Sequence, residues 1–236
     1  EVRFRLDEKG KPLSVYFTES NESHQLIEEF MLLANRTVAE TIGKKTAHNT
    51  PKTFVYRIHD QPDLEKLETL SRFVSKLGYK MKGAGRGNTA SSLNTLLKEI
   101  KGHKEQNVIE TISLRTMQKA KYSTQNIGHF GLAFRYYTHF TSPIRRYPDL
   151  MVHRLLDRYL TQGARSVNPG KYETLCEHCS AQEQVAANAE RASIKYKQVE
   201  FMTEHIDEEF DAVISGVTEW GIYAEIIENK CEGMIP

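Results

Sequence analysis

The sequence predicts an α+β fold, in which helices pack on a mixed sheet and a small antiparallel β-barrel begins near the C-terminus. Residues 1–18 alternate apolar and polar side chains on either side of a Gly/Pro turn, which is the pattern of a β-hairpin. The middle of the chain carries several stretches whose apolar residues recur at helical spacing. After residue 207 the alternation returns, so we expect one domain of residues 1–206 and a second of residues 207–236.

The helical stretches follow the hairpin in order. Residues 23–42 have apolar side chains three and four positions apart, and Gly43 is expected to end this helix. After a short buried strand at residues 52–58, a second helix begins near Pro62 and ends before Gly78. The remaining helical stretches are two within residues 91–120, one from Pro148 to about Gly163, and one over residues 171–206.

The composition is that of a folded globular protein without a membrane partner. Hydrophobic residues make up 39% and charged residues 27%, and no run of apolar residues is long enough for a membrane-spanning helix. No signal peptide is recognisable, so we expect a cytoplasmic protein. The net charge is +1, and an argument for nucleic-acid binding must therefore rest on local clusters of basic residues.

The three cysteines do not predict a metal site or a disulfide framework. Their sparse, odd number favours a reducing compartment. Cys176 and Cys179 have the spacing of a zinc or redox half-site, but no second pair of ligands accompanies them. Packing on a helix is the favoured interpretation, and no residue is assigned as a metal ligand.

The glycine-rich stretch KMKGAGRGNTASS, residues 80–92, could bring backbone amides close to a phosphate. No lysine-serine pair of a Walker motif follows it, so a plain connection between helices is favoured. An enzyme that uses this loop to bind a nucleotide ranks last among the functional interpretations.

The most informative stretch is HFTSPIRRYPDLMVHR, residues 139–154, where two prolines enclose a pair of arginines. The prolines bias the residues before them to extended conformations, which predicts an irregular segment over residues 142–147, here called the arginine strap. Neighbouring side chains on an extended segment point in opposite directions. One of Arg145 and Arg146 could then reach a phosphate while the other pairs with an acid, although two solvated surface arginines remain the alternative.

Five stretches resemble successive motifs of the RNB family of exoribonucleases, the group of ribonuclease II and ribonuclease R, with ribonuclease R the nearer of the two. They are GHFGLAFRYYTHFTSPIRRYPDLMVHRLL, HQLIEEFMLLAN, VYRIHDQPDLEKL, LRTMQKAKYS and AERAS. The resemblance covers nearly all of residues 1–206. The tail resembles the first strands of the OB-fold RNA-binding barrel that follows this catalytic domain.

The resemblance implies processive 3′-to-5′ hydrolysis of single-stranded RNA to nucleoside 5′-monophosphates, with a divalent metal, expected to be Mg²⁺, at an acidic cluster. It places Arg145 at the position of the catalytic arginine. It also places Glu28 and Glu190 at acids that line the RNA site, and Arg146 is a further candidate RNA contact. His139 and Tyr147, beside the arginine strap, are expected to be structural.

Two aromatic residues flank Gly221 in the predicted barrel, and their rings could stack on RNA bases. They are Trp220 and Tyr223, and core packing explains Tyr223 almost as well. The two acids have alternatives of their own. Glu28 would ordinarily be solvated or ion-paired, and Glu190 could pair with Arg191 or Lys195 along its own helix.

The aspartates of the chain are scattered singly, whereas the family's metal-binding aspartates form a dense motif that is expected upstream of the hairpin. We therefore expect residues 1–236 to be a fragment whose metal ligands lie outside it, and we expect the isolated chain not to hydrolyse RNA. The alternative from another functional class is a catalytically inactive RNA-binding or adaptor protein on the same scaffold.

Overall fold

The computed structural model describes residues 2–17, 21–47, 50–81 and 89–236, and these residues form an α+β structure. Residues 82–88 of the glycine-rich stretch lie outside the described residues. Among the residues described, no helix combines the length and the apolarity that crossing a membrane requires. The elements in chain order are β1 (Val2–Leu6), β2 (Pro12–Phe17), α1 (Glu22–Gly43), β3 (Tyr56–Ile58), α2 (Leu64–Lys76), α3 (Thr89–Glu99), α4 (Gln106–Thr116), β4 (Lys121–Ser123), α5 (Tyr147–Leu160), α6 (Pro169–Met202), β5 (Ala212–Thr218), β6 (Gly221–Ile226) and β7 (Glu232–Ile235).

The strands form three separate small sheets. β1 pairs with β2, β3 pairs with β4, and β5, β6 and β7 form a meander, with antiparallel pairing throughout these ladders. Within the described ranges, parallel pairing is limited to a single bridge between His59 and His129. The α+β class is therefore as predicted, but the strands form small antiparallel sheets instead of one mixed sheet. The other edge of β3 pairs with an irregular segment: the Arg57 N–H donates to the Tyr137 carbonyl at 2.9 Å.

The chain divides into two compact units. The larger unit is Leu26–Gln182, and the smaller unit combines residues 1–25 with residues 183–236. The predicted domain boundary between residues 206 and 207 stays a prediction, because a division of the chain by contact density does not test it. The three-stranded meander agrees with the predicted start of a barrel, whereas an OB fold is a finer prediction that the meander leaves untested.

The larger unit has two hydrophobic cores. The first joins the end of α1 to β3, β4, α5 and the start of α6, and the second is enclosed by α2, α3 and α4. The predicted starts of α2 and α5 agree with the structure: α2 begins two residues after Pro62, with the Asp63 carboxylate as its cap, and Pro148 lies in the first turn of α5. The fully buried members of the first core are Ala39, Phe54, Val55, Val152, Leu155 and Cys176, each with 0% exposure.

The two halves of α1 differ in burial. Asn35, Ala39 and Ile42 in its second half are buried. Most of the first half is exposed, and its apolar residues Leu26, Ile27 and Phe30 are 58%, 58% and 61% accessible to solvent. The helical periodicity therefore predicted the helix correctly, but not which part of its apolar face is buried.

The smaller unit is held together by contacts between the hairpin, the C-terminal half of α6 and the meander. The rings of Phe4 and Phe201 lie 6.4 Å apart, and Lys197 Nζ donates to the Gly10 carbonyl in the hairpin turn. On the side of the meander, Gln198 Nε2 donates to the Lys230 carbonyl at 2.9 Å. Helix α6 therefore anchors both sets of strands within this unit.

Candidate functional site

The arginine strap is a hydrogen-bonded turn. The backbone N–H groups of Arg145 and Arg146 both donate to the Ser142 carbonyl, at 3.3 and 3.1 Å. The prediction of an irregular segment that leads into α5 is confirmed: residues 143–145 form a turn, and Arg146 is extended. The turn directs the two arginine side chains into different surroundings. Those surroundings depend on the residues that the turn contacts.

Arg145 lies on the outside of the turn and is exposed. Its Nη2 is 3.4 Å from the Ser142 hydroxyl, and within the described part of the chain no carboxylate forms an ion pair with it. The preceding residue, Ile144, is 98% exposed. A guanidinium in this position keeps its charge at every physiological pH and is accessible to an anion.

Arg146 is held inside the turn. Only 20% of its side chain is exposed, and its Nη2 donates to Asp149 Oδ1 at 2.8 Å, while the Asp149 side chain is 0% exposed. The same carboxylate oxygen accepts the Ser142 N–H at 2.8 Å. Arg146 is thus the member of the pair that binds the scaffold, and its predicted contact with RNA stays a prediction.

The segment that leads into the strap forms part of the core. Tyr137 is 6% exposed and Thr138 is 0% exposed, and the Thr138 hydroxyl donates to the Val55 carbonyl beside β3 at 2.7 Å. His153 on α5 stacks on the Phe140 ring with centroids 4.0 Å apart. The crowding of aromatic and histidine side chains in the sequence therefore builds a rigid base for the strap.

Asn35 connects α1 to this base. It is 3% exposed, its Oδ1 accepts the Phe140 N–H at 2.9 Å, and its Nδ2 donates to the Tyr137 hydroxyl at 3.2 Å. Glu28 lies seven residues earlier in α1, and at 3.6 residues per turn this puts it on the same helix face within about 20°. Glu28 itself is exposed. Helix geometry therefore places the predicted acid on the α1 face that meets the base of the strap, about 10 Å along the axis.

Two histidines near the strap, His139 and His129, are uncharged at neutral pH. Burial lowers the pKa of His139 to about 3, with further contributions from the charges of Arg146 and Arg57. Burial likewise lowers the pKa of His129 to about 4, assisted by His59 and Arg57. The positive charge of this region therefore resides on its arginines. His139 also hydrogen-bonds to the Tyr122 hydroxyl at 2.8 Å, as expected of a structural residue.

Tyr147 is less enclosed than a structural role implies. It is the first residue of α5, and it is 48% exposed. Its predicted structural role therefore stays a prediction.

The remaining predicted site residues belong to the smaller unit. Glu190 is exposed on α6, and Lys195, one of its predicted alternative partners, donates instead to the Glu232 carbonyl at 2.5 Å. Trp220 is 77% exposed at the turn between β5 and β6. Tyr223 is half-buried and faces Gly216 across the β5–β6 ladder, which favours packing for its ring.

The described residues do not form a metal site. No group of three or more His, Cys, Asp or Glu side chains among them is arranged to hold an ion. Cys176 is buried in the first core, and this burial raises the pKa of its thiol, as expected of a packing residue.

Two residues that organise the site carry only weak signals in the sequence. Asp149 is an acid three residues after Arg146, in the first turn of a predicted helix, and Asn35 is a carboxamide in the middle of an apolar helix. Neither pattern predicts a role in the site. Asn35 acts through contacts with residues about 100 positions away, and Asp149 acts through contacts with the irregular strap.

The comparisons with known proteins agree with this fold. A family model described as RNB domain matches residues 1–162. Ribonuclease R 1 of Lactococcus lactis is 41% identical over 240 residues, which cover 100% of this chain and 28% of the relative. The chain therefore belongs to the RNB domain family.

Solved structures show the same likeness. The apo form of Mycoplasma genitalium RNase R matches with a TM-score of 0.90 and 30% identity, over 99% of this chain and 37% of that one. Its complex with ribose-methylated single-stranded RNA matches with a TM-score of 0.84 at 29% identity, over the same shares of the two chains. Yeast Ssd1, a pseudonuclease, matches with a TM-score of 0.72 and 26% identity, over 89% of this chain and 26% of that one. The chain thus spans well under half the length of each of these relatives.

Proposed function

We propose that this chain is part of a 3′-to-5′ exoribonuclease of the ribonuclease R type, which hydrolyses single-stranded RNA processively to nucleoside 5′-monophosphates. The observation that carries the proposal is Arg145. In a chain of the RNB family, it is an exposed guanidinium without an acidic partner among the described residues, on a turn that a buried carboxylate holds in place. A fixed, permanently charged group of this kind suits a phosphate on which negative charge develops during hydrolysis.

Arg145 is the proposed catalytic residue, and it contacts the scissile phosphate. Glu28 lies on the α1 face that meets the base of the strap, and its proposed role is to hold the 3′ end of the RNA. Glu190 is proposed as a further acid of the site, and Trp220 and Tyr223 as stacking partners for bases. Arg146 is paired with Asp149 and is not proposed as an RNA contact. Among these, Trp220 has the exposure that stacking on a base requires.

The proposal includes dependence on a divalent metal, with Mg²⁺ as the expected ion. Since the described residues gather no set of metal ligands, we assign no metal-dependent step to this chain. Carboxylates outside residues 1–236 are proposed to hold the ion. A cytoplasmic location is proposed from the sparse, free cysteines.

A second candidate function is favoured by one observation, the likeness to a pseudonuclease. A catalytically inactive RNA-binding or adaptor protein would keep the scaffold and lack hydrolysis. Ssd1 shares less identity and a lower TM-score with this chain than Mycoplasma genitalium RNase R does, so we place this function second.

The test is single-turnover cleavage of a labelled single-stranded RNA by the complete RNB protein, with RNA affinity measured in parallel. Arg145→Ala is expected to lower the cleavage rate constant about 10²- to 10³-fold and to weaken RNA affinity much less, because the contact strengthens in the transition state. Arg154→Ala, which removes an exposed arginine of α5, is the matched control and should cleave normally. An unchanged rate with Arg145→Ala would remove its catalytic role. RNA binding without any cleavage by the unmodified protein would favour the adaptor.

A further inference from the structure

The carboxylate of Asp149 connects the two ends of the arginine strap. Its Oδ1 accepts a hydrogen bond from the Ser142 N–H, where the strap begins, and another from Arg146 Nη2 near its end, both at 2.8 Å. Asp149 lies in the first turn of α5, where the partial positive charge of the helix N-terminus stabilises a carboxylate. One fully buried side chain therefore closes the turn and receives one of its two arginines.

This contact makes two adjacent arginines unequal. Arg146 is neutralised by Asp149 and is mostly buried, whereas Arg145 is exposed. The link between Arg146 and Asp149 is a single hydrogen bond, since Arg146 Nε and Asp149 Oδ2 are buried without a partner among the described residues. A buried carboxylate strongly disfavours the loss of its counter-charge, so Asp149 retains Arg146 even through this single bond.

We propose that Asp149 is a positioning residue that keeps Arg146 away from the RNA and so presents Arg145 as the one guanidinium of the strap that clamps the phosphate. The inference rests on the function proposed above for Arg145. Without the carboxylate, two neighbouring cations on one turn would compete for the same phosphate. Binding through the wrong arginine would shift the phosphate, and a displacement of about 1 Å is enough to slow a reaction about 100-fold.

The charge of the side chain at position 149 matters as well as its shape. Asparagine there would still offer an oxygen to the Ser142 N–H and would preserve the turn. It would not hold a guanidinium electrostatically, so Arg146 would be released. A substitution at position 149 can therefore preserve the turn while releasing Arg146, so the two effects of Asp149 can be tested apart.

The experiment compares Asp149→Asn with the double variant Asp149→Asn/Arg146→Gln in the complete RNB protein. Single-turnover cleavage and the salt dependence of RNA affinity are measured. Asp149→Asn is expected to cleave at least tenfold more slowly while binding RNA equally or more tightly. Its plot of log affinity against log salt should be steeper by about 0.7, the value of one additional contact with a single-stranded phosphate.

The double variant is expected to regain the original slope and most of the cleavage rate. The introduced glutamine and asparagine can hydrogen-bond to each other, and no second cation competes for the phosphate. A purely structural role for Asp149 predicts the opposite pattern, in which the double variant is no better than Asp149→Asn and both lose affinity. Asp157→Asn, an exposed acid on the same helix, is the matched control and should behave as the unmodified protein.

Two further variants keep the inference testable if Asp149→Asn does not fold. Arg146→Ala should leave the salt slope unchanged, whereas Arg145→Ala should make it shallower by about 0.7. If Arg146→Ala and Arg145→Ala reduced the salt slope of RNA affinity equally, the inference would be overturned. Cleavage abolished by Arg145→Ala but unaffected by Asp149→Asn would overturn it and leave the proposed function intact. Cleavage unaffected by Arg145→Ala would instead overturn the proposed function, and the positioning role with it.

Discussion

Gly43 ends α1 directly against the ring of Tyr56, so closely that a Cβ at position 43 would lie 2.2 Å from Tyr56 Oη. The sequence predicts Gly43 as the end of the helix, which is confirmed. The physical reason is different from the usual one, because Gly43 does not adopt a positive φ. It is required because the hydroxyl end of the buried Tyr56 side chain occupies the space that a Cβ would need.

Gly43→Ala is therefore expected to destabilise the fold by about 1–3 kcal/mol, the usual effect of forcing an extra group into a packed core. Tyr56→Phe removes the nearest atom, so the same substitution should be less destabilising in that background. Urea denaturation of the chain measures both values. Gly233→Ala is the control, since a Cβ there meets nothing within 4 Å. A denaturation midpoint for Gly43→Ala that matches the control would contradict the packing argument.

The buried His139 predicts a loss of stability in mild acid. Its pKa is about 3 in the folded protein, against an ordinary value of 6.5. A lowered pKa means that the unfolded chain binds the proton first. The stability that neutral His139 contributes is thus complete above pH 6.5 and is lost as the pH falls from 6.5 towards 3.

The expected decline from this group is about 1.4 kcal/mol per pH unit within that window. It is measured by denaturant titrations at several pH values on the unmodified chain and on His139→Gln. His139→Gln should reduce the slope of unfolding free energy against pH by the contribution of one proton. The contribution of His129 is present in both proteins. His178→Gln, which changes an exposed histidine, should retain the original dependence. Parallel curves for His139→Gln and the unmodified chain would show that His139 does not carry the effect.

Trp220 is expected to contribute to RNA affinity rather than to stability. Its ring is 77% exposed, so few contacts of the fold depend on it. Trp220→Ala should weaken binding of single-stranded RNA by about 1–3 kcal/mol if one base stacks on the ring. Trp220→Phe keeps an aromatic face and should retain most of the affinity, as measured by fluorescence anisotropy of a labelled RNA. Equal affinity of Trp220→Ala and the unmodified protein would leave no role for stacking.

The purified chain of 236 residues is expected not to release nucleoside monophosphates from RNA. The reason is chemical, because its described residues supply an arginine for the phosphate but no cluster of metal ligands. The measurement is product release with Mg²⁺ and with EDTA, and the complete RNB protein serves as the positive control. Release that requires Mg²⁺ and persists in the purified chain would contradict the prediction.

The agreement between sequence and structure is best where the signals are local. The start of α2 near Pro62, the proline in the first turn of α5 and the alternation of β5 to β7 each depend on residues only a few positions apart. The motif around Arg145 is likewise a run of consecutive residues, so the sequence alone makes it recognisable. The turn within the arginine strap and the pairing of the strands were not predicted, because the turn depends on the burial of Asp149 and the pairing depends on distant parts of the chain.

The sequence by itself determined the order of helices and strands, the family and the pair of arginines between two prolines. The tertiary structure decided which arginine is presented, because that choice depends on the complete burial of Asp149 on the first turn of α5. It also decided that the nearby histidines are neutral and that Asn35 fixes α1 to the base of the strap, 105 positions away. Burial and long-range hydrogen bonds arise only when separate elements pack, so no local pattern of residues specifies them.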